Sequence, residues 1–139
     1  MSSIWISDLE TSVYSRVKAI VISELKSKYP NIQITQDDAS TAEAKFPTVF
    51  IHALQPYERG NDLENSEISA VSMTFEVEVT VSKTQNLPVL REVSAVVTDA
   101  FKSLRFTATL PVPVNDRSVD TKRSISRFAR VVGYNDTIL

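Results

Sequence analysis

The chain contains one histidine, no cysteine and two glycines, and these counts restrict its chemistry before any fold is considered. His52 stands between Ile51 and Ala53 in an apolar, strand-like stretch. A nucleophilic triad, a metal site or a general base would need partners at bonding distance, and no local spacing supplies them. A structural histidine is the reading its neighbours support. Glu76 and Glu78 form an i, i+2 carboxylate pair. In an extended strand such a pair shares one face at about 7 Å, a separation that suits acid–base catalysis. The same spacing also describes a solvated strand face balanced by Lys or Arg on a neighbouring strand, and this is the expectation carried forward. Asp37, Asp38 and Glu43 could hold a divalent cation, but they lack the Asp-x-Asp-x-Asn-Gly order of a calcium loop and read as a solvated loop.

Without cysteine there is no disulfide framework, thiol nucleophile or thiolate zinc site. Gly60 and Gly133 are the two glycines, where roughly ten would be usual for this length. Phosphate-cradling loops need several, so neither a Walker-type loop nor a dinucleotide fingerprint can be written. No cofactor is expected, and the chain is expected not to be an enzyme.

Two polar regions are better suited to binding. Arg117, Lys122, Arg123, Arg127 and Arg130 make the end of the chain basic. By strand parity Arg123 and Arg127 share one face, and Lys122 and Arg130 the other. Such a ribbon could meet phosphates or acidic residues of another subunit. Aromatic interleaving is thin (Phe128 and Tyr134), which favours a protein interface over a stacking platform for nucleic acid. The segment 56–66 reads as a long exposed connection, and Tyr57, Glu58, Arg59, Asn61 and Asp62 within it are further interface candidates, with Glu76 and Glu78. Tyr and Arg are enriched at hot spots; an ordinary surface loop explains the stretch equally well.

These residues must be positioned by a chain of 139 residues, a length that suits one domain. Its net charge of −2 is unevenly spread: residues 1–82 carry 6 Lys/Arg against 12 Asp/Glu, and residues 83–139 carry 9 against 5. A polarised subunit can dock head to tail with copies of itself, unless the two halves intermix on folding. No run approaches the roughly 18–20 apolar residues of a membrane span, and the N-terminus lacks the order of a signal peptide, so cytoplasmic synthesis without membrane association is expected.

Ser7-Asp8-Leu9-Glu10 has the form of a capping box. Leu9, Val13, Val17, Ile20, Val21 and Leu25 follow at helical spacing, predicting a helix over about 8–28 with Lys26 and Lys28 in its last turn. A short strand is expected at 31–35, with Ile32 and Ile34 inward, and another from Pro47 to Leu54, stopped by Pro56. Val71, Met73, Phe75, Val77, Val79 and Val81 alternate with polar residues, which defines a long strand with one buried and one wet face. Asn86 offers a cap for a second helix carrying Val89, Val93, Val96, Val97, Ala100, Phe101 and Leu104. A strand over 106–114 follows, confined to an edge by Pro111 and Pro113, then a turn at Asn115-Asp116 and a last strand over about 121–134. The order is α-β-β-β-α-β-β. Grouped strands predict an α+β fold, with a mostly antiparallel or mixed sheet and two helices packed on one face.

Three strings give the whole a familiar outline. They are Phe46-Pro47-Thr48-Val49-Phe50 entering a strand, Phe75-Glu76-Val77-Glu78-Val79 within the long strand, and Arg127-Phe128-Ala129-Arg130-Val131-Val132-Gly133-Tyr134 near the end. With the element order, over roughly residues 7–134, the chain resembles the tail terminator (tail completion) proteins of long-tailed bacteriophages. The resemblance implies a sheet flanked by two helices and a virion location at the head-proximal end of the tail. It also implies assembly into a six-membered homo-oligomeric ring that caps the tail tube, meets the head connector or neck protein, and lets DNA pass without sequence-specific binding. It carries over no catalytic residue. Pro111 and Pro113 depart from the expected unbroken penultimate strand. The rival readings are another head–tail joining or neck protein, a nucleic-acid-binding module using the basic end, and a small enzyme using Glu76 or Glu78.

Overall fold

A computed structural model of the chain describes residues 4–36, 47–61, 68–82, 87–114, 121–134 and 136. The candidate residues Asp37, Asp38, Glu43, Asp62 and Arg117, the cap at Asn86 and the turn at Asn115-Asp116 lie outside the described residues. The fold is α+β: two helices and a six-stranded mixed sheet.

Helix α1 spans Ile4–Leu25 and buries Trp5, Val13, Val17, Val21 and Leu25. It therefore starts before the expected cap, and Ser7 to Glu10 lie inside it. The reason is tertiary. Trp5 extends the i, i+4 stripe one turn upstream of Leu9, and its indole packs edge-on to Tyr134 at 5.8 Å. Burying that ring outweighs a cap usually worth about 1 kcal/mol. At the other end Lys26 and Lys28 stand in the turn beyond the helix rather than in its last turn.

Strand β1 (Gln33–Thr35) pairs in parallel with β2 (Thr48–Ala53). The other pairings are antiparallel, and the order is β1-β2-β4-β6-β5. Here β4 is Ile68–Ser82, β5 is Thr107–Val114 and β6 is Thr121–Gly133. One strand was not anticipated. Tyr57–Asn61, expected as loop, forms β3 and pairs with the first part of β4. Because β6 occupies one side of β4 along most of its length, β2 and β3 share the other side. The amide of Leu54 continues the ladder between them by donating to the carbonyl of Thr74. Pro56 thus interrupts a long strand rather than starting a loop.

The alternation in β4 works as expected: Val71, Met73, Phe75, Val77, Val79 and Val81 are all buried. Gross burial of these six side chains is worth on the order of 10 kcal/mol before chain entropy is subtracted. Facing them, α2 (Leu87–Ser103) buries Leu90, Val93, Ser94, Val97, Ala100 and Phe101. Phe101 stacks on Phe128 at 4.3 Å, and Phe106 meets both Phe75 and Phe101 edge-on. Both helices contribute to this one core. The prolines have the expected consequence, since β5 is an edge strand whose register slips between Thr109 and Val112.

Helix α2 ends in a left-handed turn. The amide of Arg105 donates to the carbonyl of Lys102, and that of Phe106 to the carbonyl of Phe101. This is the paired bonding of a Schellman motif, with Phe106 against Phe101 as its hydrophobic contact. Glycine usually takes the position that Arg105 occupies at φ 68°. In a chain so poor in glycine, an arginine bears the left-handed conformation.

Candidate interaction site

With the core on one side of the sheet, the even-numbered residues of β4 project half-buried to the other side, which no described helix or strand covers. Register then explains which side chains meet there. His52 on β2 and Arg127 on β6 both stand directly opposite Glu76 on β4. His52 Nε2 lies 3.2 Å from Glu76 Oε1, while Arg127 donates through Nε and Nη2 to Glu76 Oε2 at 3.0 and 2.9 Å. Arg123, diagonal to Glu78, donates to it from Nη1 at 2.9 Å. Phe50 stacks flat on His52 at 4.6 Å.

This arrangement decides between several expectations. Both oxygens of Glu76 are engaged and Glu78 is held by Arg123, so the two carboxylates form a balanced strand face, as expected. His52 does acquire a partner, but across strands, where local sequence spacing could not reveal it. The two arginines of one face of the basic ribbon are paired with carboxylates of the same chain, so among the described residues that face offers no line of free cations to phosphates. Arg130, on the other face, donates to the carbonyl of Leu104 at 2.9 Å and so caps the end of α2. Lys122 is exposed near the start of β6. Each exposed pair contributes only about 0.2–1 kcal/mol, so these bonds position side chains more than they stabilise the fold.

The expected loop residues sit on a paired strand. Tyr57 lies across from Ser72, Glu58 and Arg59 are exposed, and Asn61 pairs with Ile68. The register shift between Glu58 and Gly60 leaves Arg59 as an extra, bulged residue, an irregularity that re-aims a side chain.

The sequence reading missed several exposed apolar residues near this end of the sheet. Tyr57 is 64% exposed, Val131 59%, Tyr134 45% and Ile4 60%. Val131 and Tyr57 flank Ser72 from opposite strands. The Tyr134 amide donates to the nearby Ser69 carbonyl, and its ring touches Trp5, the neighbour of Ile4. Val131 shares the parity of Arg123 and Arg127, so strand alternation alone could have placed it on the uncovered face. Tyr134 and Ile4 carry no such signal.

A further feature lies between the helices, where Ile20, Val96 and Ala100 underlie a groove of about 250 Å³ bordered by Glu24, Asp99 and Ser103. Near one end of the helix pair, Lys28 Nζ approaches Glu92 Oε2 at 2.7 Å. This bond lowers the Glu92 pKa and raises that of Lys28. On α1, burial raises the pKa of Glu10. Among the described residues no group of three or more His, Asp or Glu is placed to hold a metal ion. Nor is any described helix long and apolar enough to cross a membrane.

Comparison with models of known protein families gives no match, and comparison with characterised proteins gives none either.

Proposed function

We propose that this chain is a structural virion protein of the tail terminator type. It forms a homo-oligomeric ring that caps the tail tube, ends its elongation and presents a surface to the head connector. The observation that carries this reading is the exposed pair Tyr57 and Val131, which flank Ser72 from the two strands beside β4 on the sheet face away from the core. Aromatic and apolar groups gathered in this way mark protein contact surfaces, and scattered ones do not. The resemblance in strings and element order supplies the identity of the partners: copies of the chain, the tube subunit and a neck protein. Neutralised arginines on the uncovered face suit a passage or contact surface better than a nucleic-acid reader.

The test is reconstitution. Purified protein added to polymerising tail-tube subunits of the same virus should yield shorter tubes with a ring at one end in electron micrographs. Tubes of unchanged length and bare ends, at saturating protein, would refute the proposal.

A further inference from the structure

The groove between α1 and α2 and the bulged strand β3 complement each other, and no single copy brings them together. The groove has an apolar floor, Ile20, Val96 and Ala100, under two carboxylates, Glu24 and Asp99. Among the described residues neither carboxylate has an ion pair or a hydrogen-bonded cation. Such a site asks for a side chain with an apolar stem and a cationic head, which describes arginine. The adjoining depression on α1 shares Ile20 and Glu24 and adds Arg16, which leaves Asp99 as the groove's carboxylate on the α2 side.

Arg59 answers that description. It is exposed, is pushed out of register with β4 by the bulge, and has no ion pair among the described residues. Two residues earlier on the same strand, Tyr57 is also exposed. The groove opens from the helix layer and β3 lies in the sheet, so the contact can form only between copies. A patch meeting a different patch on the next copy is a heterologous contact, the kind that closes rings.

We propose that β3 of one copy docks in the α1–α2 groove of the next, with Arg59 between Glu24 and Asp99 and Tyr57 packed on the groove wall. This rests on the ring reading above and names the surfaces that make the ring. Close charge pairs at interfaces couple strongly, so reversing one partner should weaken association by about tenfold or more.

The test is a charge-swap cycle read by light scattering and sedimentation of the full chain. R59E alone and D99R alone should each shift association to at least about tenfold higher concentration, and the R59E/D99R pair should recover most of that loss. R91E, at an exposed α2 position outside the groove, makes the same change in net charge and should leave association near wild type. The exposed positions of Arg59 and Asp99 keep the fold intact, which circular dichroism of each variant checks. If the wild type assembles and R59E and D99R assemble equally well, the docking is wrong while the ring reading stands. If R91E is as damaging as R59E, only net charge matters and the docking is again wrong. A wild type that stays monomeric at every concentration, alone and with tail tubes, overturns both.

Discussion

Replacing Arg105 by glycine and, separately, by alanine tests the account of how α2 stops. Arg105 sits at φ 68°, where its amide donates to the Lys102 carbonyl and the next amide, that of Phe106, to the Phe101 carbonyl, turning the chain into β5. A residue with a Cβ bears about 1–2 kcal/mol there that glycine avoids. Against this, glycine loses about 0.4–1 kcal/mol through the greater freedom of its unfolded chain. The balance leaves R105G more stable than R105A by about 0.5–1 kcal/mol, the reverse of their order inside a helix. Both variants lose the same cation from the end of α2, worth about 0.3–1 kcal/mol, so their comparison cancels that effect. For a domain of this size the difference is about 2–4 °C in Tm. Thermal and urea unfolding followed by far-UV circular dichroism would measure it, with coincident probes to establish two-state behaviour. If R105A equals or exceeds R105G, the left-handed turn is not where the structure places it.

Other consequences follow from polar and charged groups. Ser94 and Ser124 share a hydrogen bond of 2.9 Å between α2 and β6. Either S94A or S124A should cost about 1–3 kcal/mol by stranding the remaining hydroxyl, and the double variant should cost less than the sum in a urea-unfolding cycle. Burial raises the pKa of Glu10 in the folded state above its unfolded value, so the folded state binds more protons between the two values and stability falls as pH rises through them. E10Q should therefore raise Tm at pH 7 and lose its advantage below the unfolded carboxylate range. For Glu92 the folded pKa is lowered, its contribution is present above the unfolded value, and it fades as pH falls through the folded one. E92Q should accordingly flatten the acid limb of the Tm profile.

Much of this fold was legible because alternation and stripe are set by burial. The inward set of β4, the stripe of α2 and the confinement of β5 by Pro111 and Pro113 all express a local pattern that the packing obeys. Strand β3 escaped because it carries Glu58, Arg59, Gly60 and Asn61, a polar string without period that is ordered by pairing with β4. The start of α1 escaped because the capping signal at Ser7 is local, whereas the burial of Trp5 is tertiary. For the candidate site, the balance of Glu76 and Glu78 by basic residues was anticipated from strand physics. Which basic residue meets which acid depends on register, and so does the pairing of His52 with Glu76. The acidic groove combines positions on two helices, Glu24 and Asp99, far apart in sequence.

The most direct test of the central claim is the solution mass of the purified protein by light scattering, over rising concentration at low and high salt. The account predicts a closed assembly of about six 15.5 kDa chains, in equilibrium with monomer and weakened by salt. A mass of one chain under every condition, with no ring on tail tubes supplied to it, would contradict it.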